Sequence, residues 1–186
     1  MGKSTTAQMF RDLDIPVYDS DAEVHALYAG KAAPLIEAEF PGTTVDGKVD
    51  RTLLSPHVVG NEAAMKRLEG IVHPLVREAE LAFRAKVTAS DQPLAILDIP
   101  LLFETGRESR VDGIIVVTAP ADVQRSRVLA RPGMSEEKFL AILNRQVPDA
   151  KKRQMADYVV DTAQGMDSAR QQVADIVADI LNSHTG

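Results

Sequence analysis

Four short apolar runs, Ile15 to Tyr18, Leu94 to Asp98, Gly113 to Thr118 and Tyr158 to Val160, are separated by stretches of helical periodicity, and each ends near a polar residue or a proline. Strand-length runs alternating with helices are the pattern of an α/β layer fold with parallel strands. The helix candidates are Ser4 to Arg11, Ala22 to Tyr28, Pro34 to Phe40, Arg51 to Val59, Asn61 to Lys86, Ala121 to Ala130, Ser135 to Gln146 and Asp167 to Asn182. The last carries Ala169, Val173, Ile176, Val177, Ile180 and Leu181 at steps of three and four, a stripe that predicts docking on the sheet. Four strands make a thin sheet, so helices dominate. Turn signals at Pro41-Gly42 and Asp46-Gly47 interrupt the stretch from Gly30 to Pro74, which predicts a helical insert with substrate-binding work.

A chain of 186 residues fits one domain with a sizeable core. The absence of cysteine excludes disulfides, thiolate zinc sites, iron-sulfur clusters and cysteine nucleophiles, and suits a reducing compartment. With 21 basic against 27 acidic side chains the net charge is −6, so the average field repels polyanions. That balance, with only 4% aromatic residues to stack bases, disfavours nucleic-acid binding. Any phosphate site must be local. The local basic excess runs from Arg125 to Arg153, through Arg127, Arg131, Lys138, Arg145, Lys151 and Lys152. No stretch approaches the roughly 20 apolar residues of a membrane span and the start lacks a signal peptide's apolar core, so a cytoplasmic protein without membrane contact is expected. Met1 to Thr6 formally fits the myristoylation pattern, but a better use for these residues follows.

Gly2-Lys3-Ser4-Thr5 is the second half of the phosphate-binding loop G-x-x-x-x-G-K-[ST]. In that loop backbone N–H groups surround the phosphates, the lysine meets the β/γ oxygens and a hydroxyl holds Mg²⁺. The helix that follows would point its positive end at a nucleotide. A second cluster, Val17-Tyr18-Asp19-Ser20-Asp21, ends an apolar run in two carboxylates, suited either to Mg²⁺ or general-base work, or to capping the next helix. A third, Leu94 to Glu104, is a buried strand closed by Asp98 and then Pro100. Asp98 sits where NTPases often keep an acid on Mg²⁺-bound water; a strand-end acid bonding nearby amides is the alternative. His73-Pro74 marks a kink or restart within a helical pattern, and by its chemistry alone His73 reads as a structural polar residue. Arg127 and Arg131, four apart on one helix and its end, share a face suited to phosphate oxygens, next to the hinge-like Arg131-Pro132-Gly133.

Taken in order, these segments resemble the dephospho-CoA kinase family, P-loop enzymes that use ATP to phosphorylate the ribose 3′-hydroxyl of dephospho-CoA, the last step of coenzyme A biosynthesis. The resemblance runs through GKST, Val17 to Asp21, Asp50-Arg51, Leu68 to Pro74, Asp98 to Glu104, Gln124 with Arg127 and Arg131, and Gln146 through Asp161, so it covers essentially the whole chain. It implies a three-layer α/β/α P-loop NTPase fold with a parallel sheet, a helical CoA-binding insert at about 30–90 and an arginine lid at about 125–150, all in a single domain. It implies ATP and Mg²⁺, with Gly2, Lys3, Ser4 and Thr5 at the phosphates and Ser4 and Asp98 at the metal. Asp21 looks like the acceptor of the 3′-hydroxyl proton, with Asp19 its rival. Arg127 matches the lid arginine that meets the transferring phosphate, assisted by Arg131. Asp19, Asp21, His73, Pro100, Leu101 and Leu102 would line the dephospho-CoA site.

The sequence departs from the family pattern twice. Members begin with an apolar strand and a glycine-rich lead into GKST, for which Met1-Gly2 leaves no room; and Thr162-Ala163-Gln164-Gly165 stands where an Asn and a Gly flank the adenine. The missing strand would lie mid-sheet, leaving its neighbours short of ladder partners. The expectation is therefore that Met1 is internal to a longer natural chain and that the 186-residue form is unstable and nearly inactive. Two other readings compete: a P-loop small-molecule kinase of the nucleoside monophosphate type, and a truncated, non-catalytic nucleotide-binding module.

Overall fold

The structure, a computed structural model, describes residues 2–106 and 108–183. Met1, and with it the expectation about what precedes it, lies outside them. The elements run α1 (Lys3–Arg11), β1 (Val17–Asp19), α2 (Ser20–Tyr28), α3 (Ala33–Glu39), β2 (Thr44–Val45), β3 (Lys48–Val49), α4 (Arg51–Val58) and α5 (Glu62–Ala89), then β4 (Ile96–Asp98) and a 3₁₀ turn at Glu108–Arg110. They continue as β5 (Ile115–Thr118), α6 (Ala121–Leu129), α7 (Glu136–Leu143), α8 (Asp149–Gln154), β6 (Tyr158–Asp161) and α9 (Met166–Ser183). β1 pairs with β4, and β5 with β6 in parallel, Ile115 opposite Tyr158 and Thr118 opposite Asp161. Among the described residues no ladder joins these two pairs into one sheet.

The described residues divide into two compact units, one of Tyr18–Leu97 and one of the residues up to Val17 and from Asp98 onward. The first is helical. Its core is a cluster of Leu27, Ile36, Phe40, Leu54, Leu68 and Val72 with smaller neighbours, drawn from α2 to α5. Each buried side chain of this size contributes about 1.5–3 kcal/mol of transfer free energy. Asp50 and Asn61 cap α4 and α5 by accepting their first free N–H groups, each cap worth about 1 kcal/mol. The Asp46-Gly47 turn closes a two-residue β2–β3 hairpin, with Asp46 at φ 50° and Gly47 at φ 74°, both in the left-handed region that such tight hairpin turns require.

Pro74 does not break its helix. α5 runs through it for 28 residues, against the expected kink or restart. A helical proline removes one hydrogen bond and presses on the carbonyl four residues back. That carbonyl belongs to Gly70, which is exposed and has open space where a Cβ would be, so the backbone has room to yield and water can take the freed acceptor.

In the second unit α9 buries Ala169, Val173 and Ile176 and packs on α1 and β6, the docking its stripe predicts. Phe10 of α1 and Val160 of β6 are likewise buried. α7 ends at Leu143 rather than Gln146, with Asn144 as its C-cap. α6 ends at Leu129, so Arg131 lies in the following turn and not on the helix face expected to carry it beside Arg127.

Candidate functional site

Gly2 starts α1 at φ 92°, a left-handed conformation that glycine alone adopts without strain, and a Cβ there would come 3.4 Å from Thr162 Cγ2. No side chain caps α1, so the positive end of the helix keeps amide donors for another acceptor. Lys3, its first residue, donates its ammonium to Asp98 Oδ1. Asp98 closes β4 with its side chain 4% exposed, against 42% for Lys3. Its second oxygen, Oδ2, is buried without a hydrogen-bond partner. A buried carboxylate oxygen left unpaired is costly, so this one is poised for a cation or a metal-bound water. Ser4 and Thr5 are exposed on the first turn of α1, while the Thr6 hydroxyl is buried and likewise without a partner.

The donor set fits Mg²⁺. A hard cation takes oxygen ligands, and Mg²⁺ is ordinarily held by one or two protein groups together with substrate phosphates and water. Asp98 and the Ser4 hydroxyl supply such groups, while no cluster of three or more acids or histidines suited to a metal occurs among the described residues.

Arg127 on α6 donates to the Thr162 hydroxyl at 2.8 Å and to the Thr162 carbonyl at 3.0 Å. Thr162 is itself held at the end of β6, its amide and hydroxyl both donating to the Thr118 carbonyl at 3.0 and 3.1 Å. The residue that packs on Gly2 is therefore the residue that holds Arg127. Other members of the basic segment are occupied: Arg125 grips Glu136 with two bonds and so ties α6 to α7, and Arg153 pairs with Asp149 at 3.1 Å. Asp149 also accepts the Thr118 hydroxyl at 2.9 Å, and both border a 370 Å³ cleft with Gln124 and Asp161 at the ends of β5 and β6.

After β4 the chain turns through Pro100, Leu101 and Leu102. Leu101 is held at φ 59° with 48% of its surface exposed, a combination of strain and solvent contact that a leucine rarely shows. Glu104, closing this turn, accepts the Lys152 ammonium at 2.8 Å and the Val147 amide at 2.9 Å. Burial would raise its pKa, but the hydrogen bonds from Lys152 and Val147 outweigh it and hold the carboxyl below its ordinary value.

In the Tyr18–Leu97 unit the two rival acids part. Asp19 is the N-cap of α2, its Oδ1 accepting the amides of Asp21 at 3.0 Å and Ala22 at 2.9 Å, so the capping alternative holds for Asp19. Asp21 is exposed on the first turn of α2 and borders a 490 Å³ cavity with Tyr28, Arg51 and Ser55. His73 is exposed on α5 and does not line that cavity.

A family model described as dephospho-CoA kinase matches residues 1–179. The chain belongs to the dephospho-CoA kinase family. It is 58% identical over its full 186 residues to a dephospho-CoA kinase of Mesorhizobium japonicum, covering 94% of that protein. It is 56% identical over 177 residues to one of Brucella melitensis, covering 95% of this chain and 88% of that one. Among solved structures it is similar to TT1252 from Thermus thermophilus, with a TM-score of 0.81 and 34% identity over 96% of this chain and 91% of that one. A dephospho-CoA kinase from Campylobacter jejuni gives a TM-score of 0.71 at 25% identity, covering 98% and 93%. The fold is thus the P-loop kinase α/β fold of this family.

For a member of this family, the structure brings together Gly2, Lys3, Asp98, Thr162 and Arg127 in one unit and holds Asp21 in the other. Sequence reading missed the Glu104–Lys152 pair and the Thr118–Asp149–Arg153 linkage. Glu104 ends a motif that was read and Lys152 sits in a Lys-Lys-Arg run, but nothing local announces that they meet.

Proposed function

We propose that this kinase transfers the γ-phosphoryl group of ATP to the ribose 3′-hydroxyl of dephospho-CoA, giving CoA and ADP. The observation that carries the reading is the pairing of Lys3, at an uncapped helix start behind a left-handed glycine, with a buried Asp98 that keeps one oxygen unpaired, in a chain of this family. Lys3 and the amides of the α1 start bind the β- and γ-phosphates, with Ser4 and Thr5 beside them. Mg²⁺, held by the Ser4 hydroxyl and by Asp98, would neutralise charge on the phosphates being parted. Asp21, whose carboxylate has no partner among the described residues, takes the proton of the attacking 3′-hydroxyl. Arg127, oriented by its two bonds to Thr162, meets the transferring group with its remaining N–H donors, and Arg131 assists from the turn beyond α6. His73, Pro100, Leu101 and Leu102, with Asp19 fixing the α2 start, form the acceptor's surroundings. Dependence on ATP and the absence of cysteine support a cytoplasmic location.

The test is acceptor choice. The protein, expressed at the length its gene encodes, is assayed with ATP and Mg²⁺ against dephospho-CoA, AMP and CMP. The expected result is a kcat/KM for dephospho-CoA at least 100-fold above either nucleotide, a gap of about 2.7 kcal/mol. A nucleoside monophosphate preferred over dephospho-CoA, or ATP bound without transfer to any acceptor, would overturn the reading.

A further inference from the structure

The cavity beside Asp21 contains a cation to which the reading above gives no task. Arg51 is the first residue of α4, exposed, with its guanidinium 5.2 Å from the centroid of the Tyr28 ring. An arginine over a tyrosine face is attracted by the ring's quadrupole, by about 0.5–1 kcal/mol at an exposed site, which favours this placement of the guanidinium. The carboxylate next to it in sequence is engaged in capping the helix. Asp50 Oδ1 accepts the Thr52 amide at 2.7 Å, the Thr52 hydroxyl at 2.5 Å and the Leu53 amide at 3.3 Å, as the cap of α4. These bonds, the Thr52 hydroxyl's first, hold the Asp50 carboxyl below its ordinary pKa, so it stays a committed anion of the cap. Among the described residues Arg51 forms no ion pair, and its fork remains open to the cavity.

Much of the remaining lining is apolar. Leu54, Val58 and Leu68 belong to the buried core of the unit and also line the cavity, while Val24 and Val59 add to it. The cavity therefore presents a carboxylate at Asp21, a guanidinium stacked over Tyr28 at Arg51 and an apolar portion, within 490 Å³. A ligand that uses all three carries a hydroxyl, an anionic group suited to a planar fork, and an uncharged flexible portion. Dephospho-CoA has these in one molecule: the ribose hydroxyl, the diphosphate and the pantetheine arm.

We propose that Arg51, braced on Tyr28, pairs with the diphosphate of the acceptor and so sets the enzyme's preference for an acceptor bearing that group. This deepens, and rests on, the kinase reading. Arg51 is a binding and specificity residue on the acceptor side, and its contribution falls on acceptor binding rather than on ATP. A fork donating two charge-assisted hydrogen bonds to one phosphate is not reproduced by an ammonium, so lysine is an incomplete substitute.

The experiment compares the parent with Arg51→Met, Arg51→Lys and Tyr28→Leu, using dephospho-CoA and, as an acceptor with the same ribose hydroxyl but no diphosphate, adenosine. Arg51→Met is expected to raise the KM for dephospho-CoA on the order of 10- to 100-fold, with the KM for ATP and kcat/KM for adenosine within about 2-fold of the parent. Arg51→Lys is expected to recover part of that loss, and Tyr28→Leu to show a smaller loss of the same kind. Calorimetric binding of dephospho-CoA without ATP reads the same change independently of phosphoryl transfer. An unchanged affinity for dephospho-CoA in Arg51→Met, or equal losses for dephospho-CoA and adenosine, overturns the proposal. Should the methionine variant fail to fold in thermal melts, Arg51→Lys decides alone: dephospho-CoA affinity within 2-fold of the parent overturns it. A parent that binds dephospho-CoA through Arg51 but transfers no phosphate refutes the kinase reading and leaves the Arg51 assignment standing.

Discussion

Removing the lysine of the Lys3–Asp98 pair should cost more stability than removing the charge of its buried partner. Lys3→Met leaves a carboxylate whose side chain is 4% exposed with neither oxygen paired, since Oδ2 already lacks a partner. Breaking a fully buried pair in this way costs about 3–5 kcal/mol. The lysine is 42% exposed, so water reaches the pair and the expected cost falls to about 1–3 kcal/mol. Asp98→Asn instead leaves an ammonium that solvent can reach and an amide that can still accept from it, with a loss of about 1 kcal/mol or less. For a chain of this size each kcal/mol moves Tm by ~2–4 °C. Urea and thermal unfolding of the two single variants and the double variant at pH 7 check this. The double variant should be less destabilised than the sum of the singles, because it carries no stranded charge. Asp98→Asn losing as much as Lys3→Met, or Lys3→Met matching the parent, refutes the reasoning that Asp98 is a buried anion held in place by Lys3.

Glu104→Gln should destabilise by about 1–3 kcal/mol at pH 7, because Lys152 loses its counter-charge. The Glu104 pKa is lowered in the fold, so its stabilisation is complete above the ordinary carboxyl value of 4.5 and drains away as pH falls through the folded value; the gap between variant and parent in pH-dependent melts should close there. Thr162→Val removes one of the two Arg127 acceptors while keeping the contact with Gly2, and should lower kcat about 2- to 10-fold with little change in the KM for dephospho-CoA. Gly2→Ala should destabilise by about 1–2 kcal/mol in urea unfolding, from the left-handed φ alone, since the added Cβ would meet Thr162 at ordinary contact distance; an unchanged midpoint would contradict that conformation.

What could be read from the sequence follows the range of the forces involved. Helices with a clear apolar stripe were legible to within a residue, as with α4 and with α9 and its Ala169–Val173–Ile176 face. α8 was not, because Asp149–Gln154 is short and has no apolar stripe to set a period. The β2–β3 hairpin was marked only by Asp46-Gly47, its strands being two residues each and too short to alternate. At Pro74 a local rule failed because the answer lay four residues back, at Gly70. The site shows the same divide. Lys3, Asp21, Asp98 and Arg127 could be named from motifs, but the union of Lys3 with Asp98, the hold of Thr162 on Arg127 and the Glu104–Lys152 pair join residues far apart in the chain, which only packing brings together. Of the two acids the sequence offered as caps of α2, Asp19 is the cap, which only the local backbone conformation decides.

The most direct measurement of the central claim is transfer of label from γ-³²P-ATP to dephospho-CoA by the parent and by Lys3→Met, Asp21→Asn and Arg127→Met, with the product's phosphate located by NMR. Label in the 3′-phosphate of CoA from the parent, and rates down on the order of 100-fold or more in each variant, is the predicted result. Label at any other position, or an undiminished rate in any of the three, would contradict it.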